Sequence, residues 1–421
     1  MRFLQSLITA ATYVSTSTAT SHIAGNAPQS PLLRHGDSNR TVSATLFAEL
    51  EELARVVDIS YCVGLTGLGI IKPFQCLSRC SDFPSFELVT TWLTGPLLSD
   101  SCGYIALDHG KQRIIVAFRG TYSIASTIVD LSTVPQKYVP YPGSDEGTDD
   151  GAASEDVSRE IILGIDGHAK RGVVAAEDKQ VKCSNCTVHM GFHRAWLHTR
   201  KRILADLTVQ TLLYPDYELN LVGHSSGGAV AALAALDLQA RGLDPVVTTF
   251  GEPRLGNKGL VDFVDDRFKL EETQDDDTRM KYRRVTHVDD PVPLLPLTEW
   301  GYAMHAGEIY ISKPSLSPDI RDLEHCAGDN DQECIAGHDT TTAEEEGALS
   351  VRKRDLLSSV RDEIHDVVNE PWGIPSRYKL WQLFFAHRDY FWRLGLCVPG
   401  GDPGRERYGE VPKGELRLRS D

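Results

Sequence analysis

Long apolar runs are missing from this sequence. No stretch approaches the about 18 consecutive apolar residues that a membrane-spanning helix needs, so we expect no transmembrane segment. Basic residues are also in short supply, since 43 Lys and Arg face 59 Asp and Glu and the formal net charge is -16. Because this charge repels phosphate groups, nucleic acids and anionic membrane surfaces are disfavoured as partners. An uncharged substrate is compatible with this negative charge.

A cluster of cysteine and histidine suited to a metal ion is missing as well. Cys183 and Cys186 have the C-x-x-C spacing of a zinc or redox site, but no adjacent Cys or His completes a ligand set. No short strand before the motif and helix after it mark a redox site of the thioredoxin kind. We therefore expect no metal.

The nine cysteines instead indicate export. Three close pairs lie in polar, turn-like segments that suit local disulfides: Cys76/Cys80, Cys183/Cys186 and Cys326/Cys334. Residues 1–24 combine one basic residue, a short apolar run and small residues, as a secretory signal peptide does; the alternative is a disordered N-terminal tail. Asn39 and Asn185 begin N-glycosylation sequons. These features predict a secreted, disulfide-bonded glycoprotein.

The pattern along the chain predicts one α/β domain over residues 45–400, between a flexible lead-in at 25–44 and a polar tail at 401–421. Two charged stretches, about 142–182 and 313–375, are expected to be surface insertions. Apolar, strand-like runs occur at 103–107, 113–118, 218–222 and 246–250, and helical patterns at 46–57, 192–215 and 229–241. The order strand, helix, strand predicts a mainly parallel central sheet with helices on both faces.

Gly223-His224-Ser225-Ser226-Gly227 fits the pattern G-x-S-x-G and falls between the predicted strand 218–222 and the predicted helix 229–241. A nucleophilic serine on a sharp strand-to-helix turn requires this context. Gly223 and Gly227 remove side chains that would clash there. The helix N-terminus behind Ser225 directs backbone N–H groups toward a developing oxyanion. The alternative is a glycine-rich turn with a capping serine.

A serine nucleophile needs a general base, and the base needs an orienting carboxylate. A strand-like run at 284–288 ends in Asp289-Asp290, which places a carboxylate at a strand end. The candidate bases further along the chain are His305, His325, His338, His365 and His387. His387 has aromatic neighbours, yet the residues alone leave His305 and His387 as rivals.

Several motifs in a fixed order carry a resemblance to a known family. They are Phe118-Arg119-Gly120-Thr121, Val188-His189-Met190-Gly191-Phe192, residues 223–228, residues 250–257, residues 286–293 and Ala386-His387-Arg388-Asp389-Tyr390-Phe391. Over about residues 45–312 and 378–398 the chain resembles the fungal lipase-like (class 3) family of α/β-hydrolases, which includes filamentous-fungal triacylglycerol lipases and feruloyl esterases. The resemblance implies the α/β-hydrolase fold.

The resemblance also assigns roles. It implies a triad of Ser225, Asp290 (rather than Asp289) and His387, with the oxyanion held by Thr121 and by the Ser226 N–H. His305 matches a structural histidine, and His189, His224 and His287 match positions that support the motifs. Cys62 and Cys397 match a family disulfide, which leaves Cys102 outside any disulfide. Residues 122–131 match the family's lid, with an apolar face of Ile124, Ile128 and Leu131.

The expected protein is a serine ester hydrolase that acts on acylglycerols or related lipid esters through an acyl-enzyme, without a metal or organic cofactor. Thr127 stands where many lipases of the family carry Trp, so we expect only modest activation at an oil–water interface. The chain is expected to be a monomer. Two alternatives stay open: a feruloyl-type esterase acting on cell-wall phenolic esters, and a catalytically inactive lipid-binding homologue.

Overall fold

The computed structural model describes residues 40–64, 69–95, 101–121, 135–142, 182–270, 279–339 and 386–398. The expectations for the signal peptide, Asn39, the lid residues Ile124, Ile128 and Leu131, and the C-terminal tail lie outside these residues, as do nearly all of the first insertion and residues 25–39 of the lead-in. The last residues of the lead-in are not flexible, because Val42 is buried and Ser43 caps the first helix. Within the described ranges, no helix is both long and apolar enough to cross a membrane.

A mixed eight-stranded sheet forms the centre of the fold, in the order β1-β2-β3-β6-β7-β8-β9-β10. Strands β3, β6, β7, β8 and β9 run parallel, β1 and β2 join antiparallel at one edge, and β10 joins antiparallel at the other. The eight strands are β1 Phe86–Leu93, β2 Cys102–Asp108, β3 Arg113–Arg119, β6 Glu218–His224, β7 Val246–Phe250, β8 Tyr282–His287, β9 Glu308–Ile311 and β10 Leu323–His325. A separate antiparallel pair consists of β4 Pro135–Lys137 and β5 Thr187–His189.

Helices cover both faces of the sheet, and the apolar run of β3 shows why. Ile114 and Val116 pack in the cluster that contains helices α2 and α3, whereas Ile115 and Ala117 pack in the cluster that contains helix α1. Successive side chains of a strand point to opposite faces, so a strand buried on both faces must be apolar throughout. The helices are α1 Ala44–Ile59, α2 Met190–Leu213, α3 Ser226–Ala240 and α4 Lys258–Phe268.

The start of the second insertion differs from the sequence expectation. Residues 323–325 form β10 at the edge of the central sheet, hydrogen-bonded to β9, and Leu323 and Ile335 are fully buried. Asp339 forms a buried ion pair with Arg254, at 2.7 Å between Oδ2 and Nη2. Parts of this insertion before residue 340, around Leu323 and Ile335, therefore belong to the core of the fold. A strand of three residues, Leu-Glu-His, is too short and polar to stand out in a sequence.

Four disulfides lie within the described residues. They join Cys62 to Cys397, Cys76 to Cys80, Cys183 to Cys186, and Cys326 to Cys334, which are the pairs expected from the sequence and the resemblance. Cys102 is buried and belongs to none of them. The Cys62–Cys397 bridge spans 335 residues and connects the end of α1 to the segment that follows His387. The others close short local loops.

Candidate active site

Ser225 lies at the turn between β6 and α3, in a backbone conformation that non-glycine residues rarely adopt (φ 58°, ψ -134°). Two hydrogen bonds hold this turn: the Ser225 N–H donates to the Phe250 carbonyl at 2.9 Å, and the Gly228 N–H donates to the Ser225 carbonyl at 2.8 Å. A Cβ at Gly223 would come within 2.4 Å of the Gly227 carbonyl oxygen. The two motif glycines are therefore required by close backbone approach, and strained backbone of this kind is common at functional sites.

The loop after β3 lies against this serine. A Cβ at Gly120 would come within 2.7 Å of Ser225 Cβ and 2.9 Å of the His224 carbonyl oxygen. Thr121 follows Gly120 and is half-buried, while Ser226 is the first residue of α3. We call Gly120–Thr121 the oxyanion loop, after the role that the resemblance implies for Thr121. N–H groups in the first turn of an α-helix have no acceptor within the helix, so the first turn of α3 can offer hydrogen-bond donors beside Ser225.

Asp290 and His387, 97 residues apart in the sequence, form a buried pair. His387 Nδ1 lies 3.0 Å from Asp290 Oδ1 and 2.9 Å from Oδ2. The carboxylate also accepts hydrogen bonds from the Val292 N–H at 2.9 Å and the Tyr390 hydroxyl at 2.5 Å. Burial alone would raise the pKa of Asp290, but the nearby His387 and these hydrogen bonds together hold that pKa below its usual value. Asp290 is therefore ionised at neutral pH.

The other ring nitrogen of His387, Nε2, is buried and has no hydrogen-bond partner among the residues that the structure describes. Because a carboxylate only accepts hydrogen bonds, Nδ1 carries a proton, and in the neutral ring Nε2 has a lone pair. The His387 ring stacks on that of His224, the residue before Ser225, with centroids 4.8 Å apart and planes at 27°. This arrangement is suited to removing a proton from a hydroxyl group.

The rival histidine has a different environment. His305 Nε2 lies 3.1 Å from Glu252 Oε1, and His305 Nδ1 lies 2.7 Å from the Ala306 carbonyl oxygen. Its ring meets the ring of Tyr282 edge-on, and the Tyr282 hydroxyl donates to the other oxygen of Glu252 at 2.7 Å. Both nitrogens are thus engaged in the core. His338 contacts the Tyr310 hydroxyl at 2.9 Å, and His365 lies outside the described residues.

Comparison with known proteins identifies the family. Residues 115–300 match the family described as Lipase (class 3). The chain is 50% identical over 413 residues to the secreted mono- and diacylglycerol lipase 2 of Gibberella zeae, covering 93% of each chain. It is also 48% identical to Lipase A of Sodiomyces alcalophilus, over 90% of this chain and 89% of that one. The chain belongs to the class 3 lipases. It is therefore a serine ester hydrolase.

The fold of this lipase agrees with that of solved relatives. The crystal structure of the Lip2 lipase of Yarrowia lipolytica superimposes with a TM-score of 0.61 at 26% sequence identity, covering 85% of this chain and 97% of that chain. The α/β-hydrolase fold inferred from the sequence is confirmed.

The sequence reasoning did not single out one contact of the lipase site. The Tyr390 hydroxyl donates to Asp290 Oδ2, so the aromatic residue three positions after His387 binds the acid that orients that histidine. Its only sequence signal was a place in the motif Ala386–Phe391.

One group of three possible metal ligands occurs within the described ranges, namely Cys326, Asp331 and Cys334. Its two sulfur atoms are joined in a disulfide, so they are not thiolate ligands. In the lipase site itself, the Asp290 carboxylate is already hydrogen-bonded to His387.

Proposed function

We propose that this lipase hydrolyses acylglycerols by acyl transfer to Ser225, with His387 as general base and Asp290 as the group that orients it. The observation that carries the proposal is the buried Nε2 of His387, which has no hydrogen-bond partner within the described ranges. Asp290 fixes the His387 ring from its other side, and the ring stacks on His224 next to the strained Ser225 turn. Nucleophile, orienting acid and base follow one another along the chain in the order usual for this fold.

The protonation states support a two-step reaction. His387 Nε2 takes the Ser225 proton as the hydroxyl attacks the ester carbonyl, and it then returns the proton to the departing alcohol. Asp290, ionised because of its lowered pKa, stabilises the imidazolium that forms in between. Water then attacks the acyl-enzyme by the same route and releases the fatty acid.

The tetrahedral oxyanion would be held by the Thr121 N–H and hydroxyl and by the Ser226 N–H. Close approach of Gly120 to Ser225 and the position of Ser226 in the first turn of α3 support these roles. Loss of one such donor typically costs about a hundredfold to a thousandfold in kcat. Because the Ser226 donor is a backbone group, its side chain can differ among lipases without loss of function.

Mono- and diacylglycerols are the proposed substrates. The support is the name of the Gibberella zeae relative, a mono- and diacylglycerol lipase that is identical at half of the aligned positions. Secretion, also named for that relative, agrees with four disulfides, which form in oxidising compartments. The protein is extracellular. A feruloyl-type esterase activity is the alternative, and no described contact favours it.

We further propose that the lipase meets its substrate at a lipid surface and works as a monomer. The net charge of -16 opposes self-association and association with anionic surfaces. Neutral lipid droplets are thus the preferred surface. Light scattering after gel filtration tests the monomer, and rates measured across the solubility limit of tributyrin test the effect of the surface.

A substrate panel tests the central proposal. Purified protein is assayed on monoacylglycerol, diacylglycerol and triacylglycerol of one acyl chain and on a feruloyl ester, with Ser225→Ala as the matched blank. We expect the highest kcat/KM on the partial acylglycerols and no measurable rate for the variant. A preference for the feruloyl ester, or equal rates for the variant, would overturn the proposal.

A further inference from the structure

A buried hydrogen-bond chain connects the oxyanion loop to the segment that carries His387. We propose that Tyr61 is a positioning residue, which holds the oxyanion loop directly and the His387 segment through His224, so that both stay aligned with Ser225. This inference rests on the proposed function, because it assigns a role to residues around the same serine.

The first half of this hydrogen-bond chain runs through His224. Its Nε2 lies 2.8 Å from the His387 carbonyl oxygen, which can only accept, so Nε2 carries the proton and donates it. Nδ1 must then accept, and the Tyr61 hydroxyl, 2.5 Å away, donates to it. Burial lowers the pKa of His224 to about 3, so the ring stays neutral and the direction of both hydrogen bonds is fixed at working pH.

The second half of the hydrogen-bond chain runs from Tyr61 to the oxyanion loop. The Gly120 N–H donates to the Tyr61 hydroxyl oxygen, and a Cβ at Gly120 would lie 2.6 Å from that oxygen. One hydroxyl thus accepts from the oxyanion loop and donates to the serine turn. Burial raises the pKa of Tyr61, so the hydroxyl keeps its proton.

The two residues after Tyr61, Cys62 and Val63, also connect this part of the chain to the active site. The Val63 carbonyl accepts from Arg119 Nη1 at 2.7 Å, just before the oxyanion loop, and Cys62 forms the disulfide to Cys397. Three consecutive residues therefore contact the oxyanion loop, the serine turn and the His387 segment. Positioning of this kind matters because a misplacement of about 1 Å can cost a hundredfold in rate.

The test removes one hydroxyl. Tyr61→Phe is compared with Tyr104→Phe, a matched control in which an equally buried hydroxyl donates to the Val56 carbonyl at 2.8 Å, away from the site. We expect Tyr61→Phe to lower kcat on a soluble ester at least about tenfold with KM within about twofold, as a loss specific to the transition state does. Tyr104→Phe should keep the wild-type kcat, and its Tm should fall by about as much as the Tm of Tyr61→Phe.

Inhibition by an alkyl boronic acid supplies the second readout, because its tetrahedral adduct with the serine imitates the oxyanion intermediate. The boronate Ki should rise in Tyr61→Phe by the same factor as kcat falls. His224→Gln, whose amide can still accept and donate, should retain more activity than His224→Leu. Equal kcat and equal Ki in Tyr61→Phe and Tyr104→Phe would overturn the positioning role. A boronate that fails to inhibit the wild type would overturn the proposed function itself.

Discussion

The Ser225 turn and the His387 segment are positioned in opposite ways. The serine lies between the buried strand β6 and the buried helix α3. The two hydrogen bonds of its turn join it to regular elements, namely to Phe250 in β7 and to Gly228 in α3. His387 lies in a short 3₁₀ turn within residues 386–398, which add no strand to the central sheet. Distant contacts hold it instead: Asp290, His224, and the Cys62–Cys397 disulfide.

This difference predicts which substitutions in each half of the active site reduce activity alone and which also reduce stability. Changes at the serine turn should remove chemistry and leave the fold intact, because regular elements fix the backbone. Changes at the remote anchors of the His387 segment should remove both, since no strand of the central sheet fixes this segment and its position depends on contacts with distant residues. The predictions below separate these two behaviours.

The largest effect is expected for Ser225→Ala. The variant should fold with an unchanged Tm, and kcat should fall at least about a thousandfold, because only the nucleophilic oxygen is removed. Ester hydrolysis and thermal unfolding are measured on the same preparation. Ser312→Ala, which removes an exposed hydroxyl, is the control. A Ser225→Ala enzyme with more than a tenth of the wild-type rate would refute the assignment.

His387→Ala should mainly lower kcat, whereas His305→Ala should mainly lower the free energy of unfolding. His387→Ala should lose about a thousandfold in kcat with a small change in stability. His305→Ala should keep most of its kcat per folded molecule but lose about 2–3 kcal/mol of unfolding free energy, because Glu252 and Tyr282 lose a buried partner. Urea unfolding and rates at saturating substrate distinguish the two. The reverse pattern would make His305 the base.

The Cys62→Ser/Cys397→Ser variant should weaken the His387 segment. The bridge spans 335 residues, and we expect a loss of about 3–5 kcal/mol together with reduced kcat. Cys76→Ser/Cys80→Ser, which opens a bridge of sequence separation 4, should cost about 2 kcal/mol and leave kcat unchanged. Hydrogen exchange should speed up in residues 386–398 in the first variant alone. Equal exchange there in both variants would contradict the comparison.

The last prediction is a change of stability with pH. It concerns Asp58, another anchor of the same segment, whose Oδ1 accepts from the Gly395 N–H at 2.9 Å. Burial raises the pKa of Asp58 from 3.8 to about 6. The folded protein therefore binds a proton there that the unfolded chain has released, and its stability falls as pH rises from about 4 to about 6. Above that window the contribution is constant.

Asp58→Asn removes this titration. The unfolding free energy of the variant minus that of the wild type should rise by on the order of 3 kcal/mol between pH 4 and pH 7 and then level off. Chemical denaturation of both proteins at four pH values measures it. A difference that does not change with pH would show that Asp58 titrates normally in the folded protein.

The two regions also differ in how far the sequence could predict them. The strand at 246–250 and the Ser225 turn follow from local patterns, because strand, turn and helix chemistry act within a few residues. The choice of His387 over His305 did not follow from the residues, since both histidines follow Ser225 and Asp290 along the chain and have aromatic residues nearby in the sequence. The family resemblance chose His387, and the contact with Asp290 agrees.

Tyr61 could not be found from the sequence at all. It lies 163 residues before His224, and no local pattern marks a tyrosine whose hydroxyl reaches a distant turn. The edge strand Leu323–His325 was missed for a related reason, because pairing with β9 and burial of Leu323, rather than local propensity, define it. Long-range contacts are the part that pattern reasoning leaves out.

Covalent labelling tests the central claim most directly. An alkyl phosphonate p-nitrophenyl ester, which imitates the tetrahedral intermediate, is added to the wild type, and the released p-nitrophenol and the labelled peptide are measured. We predict one label per chain, located on Ser225, with a labelling rate that falls about a thousandfold in His387→Ala and little in His305→Ala. A label on any other residue, or stoichiometric labelling of Ser225→Ala, would contradict the account.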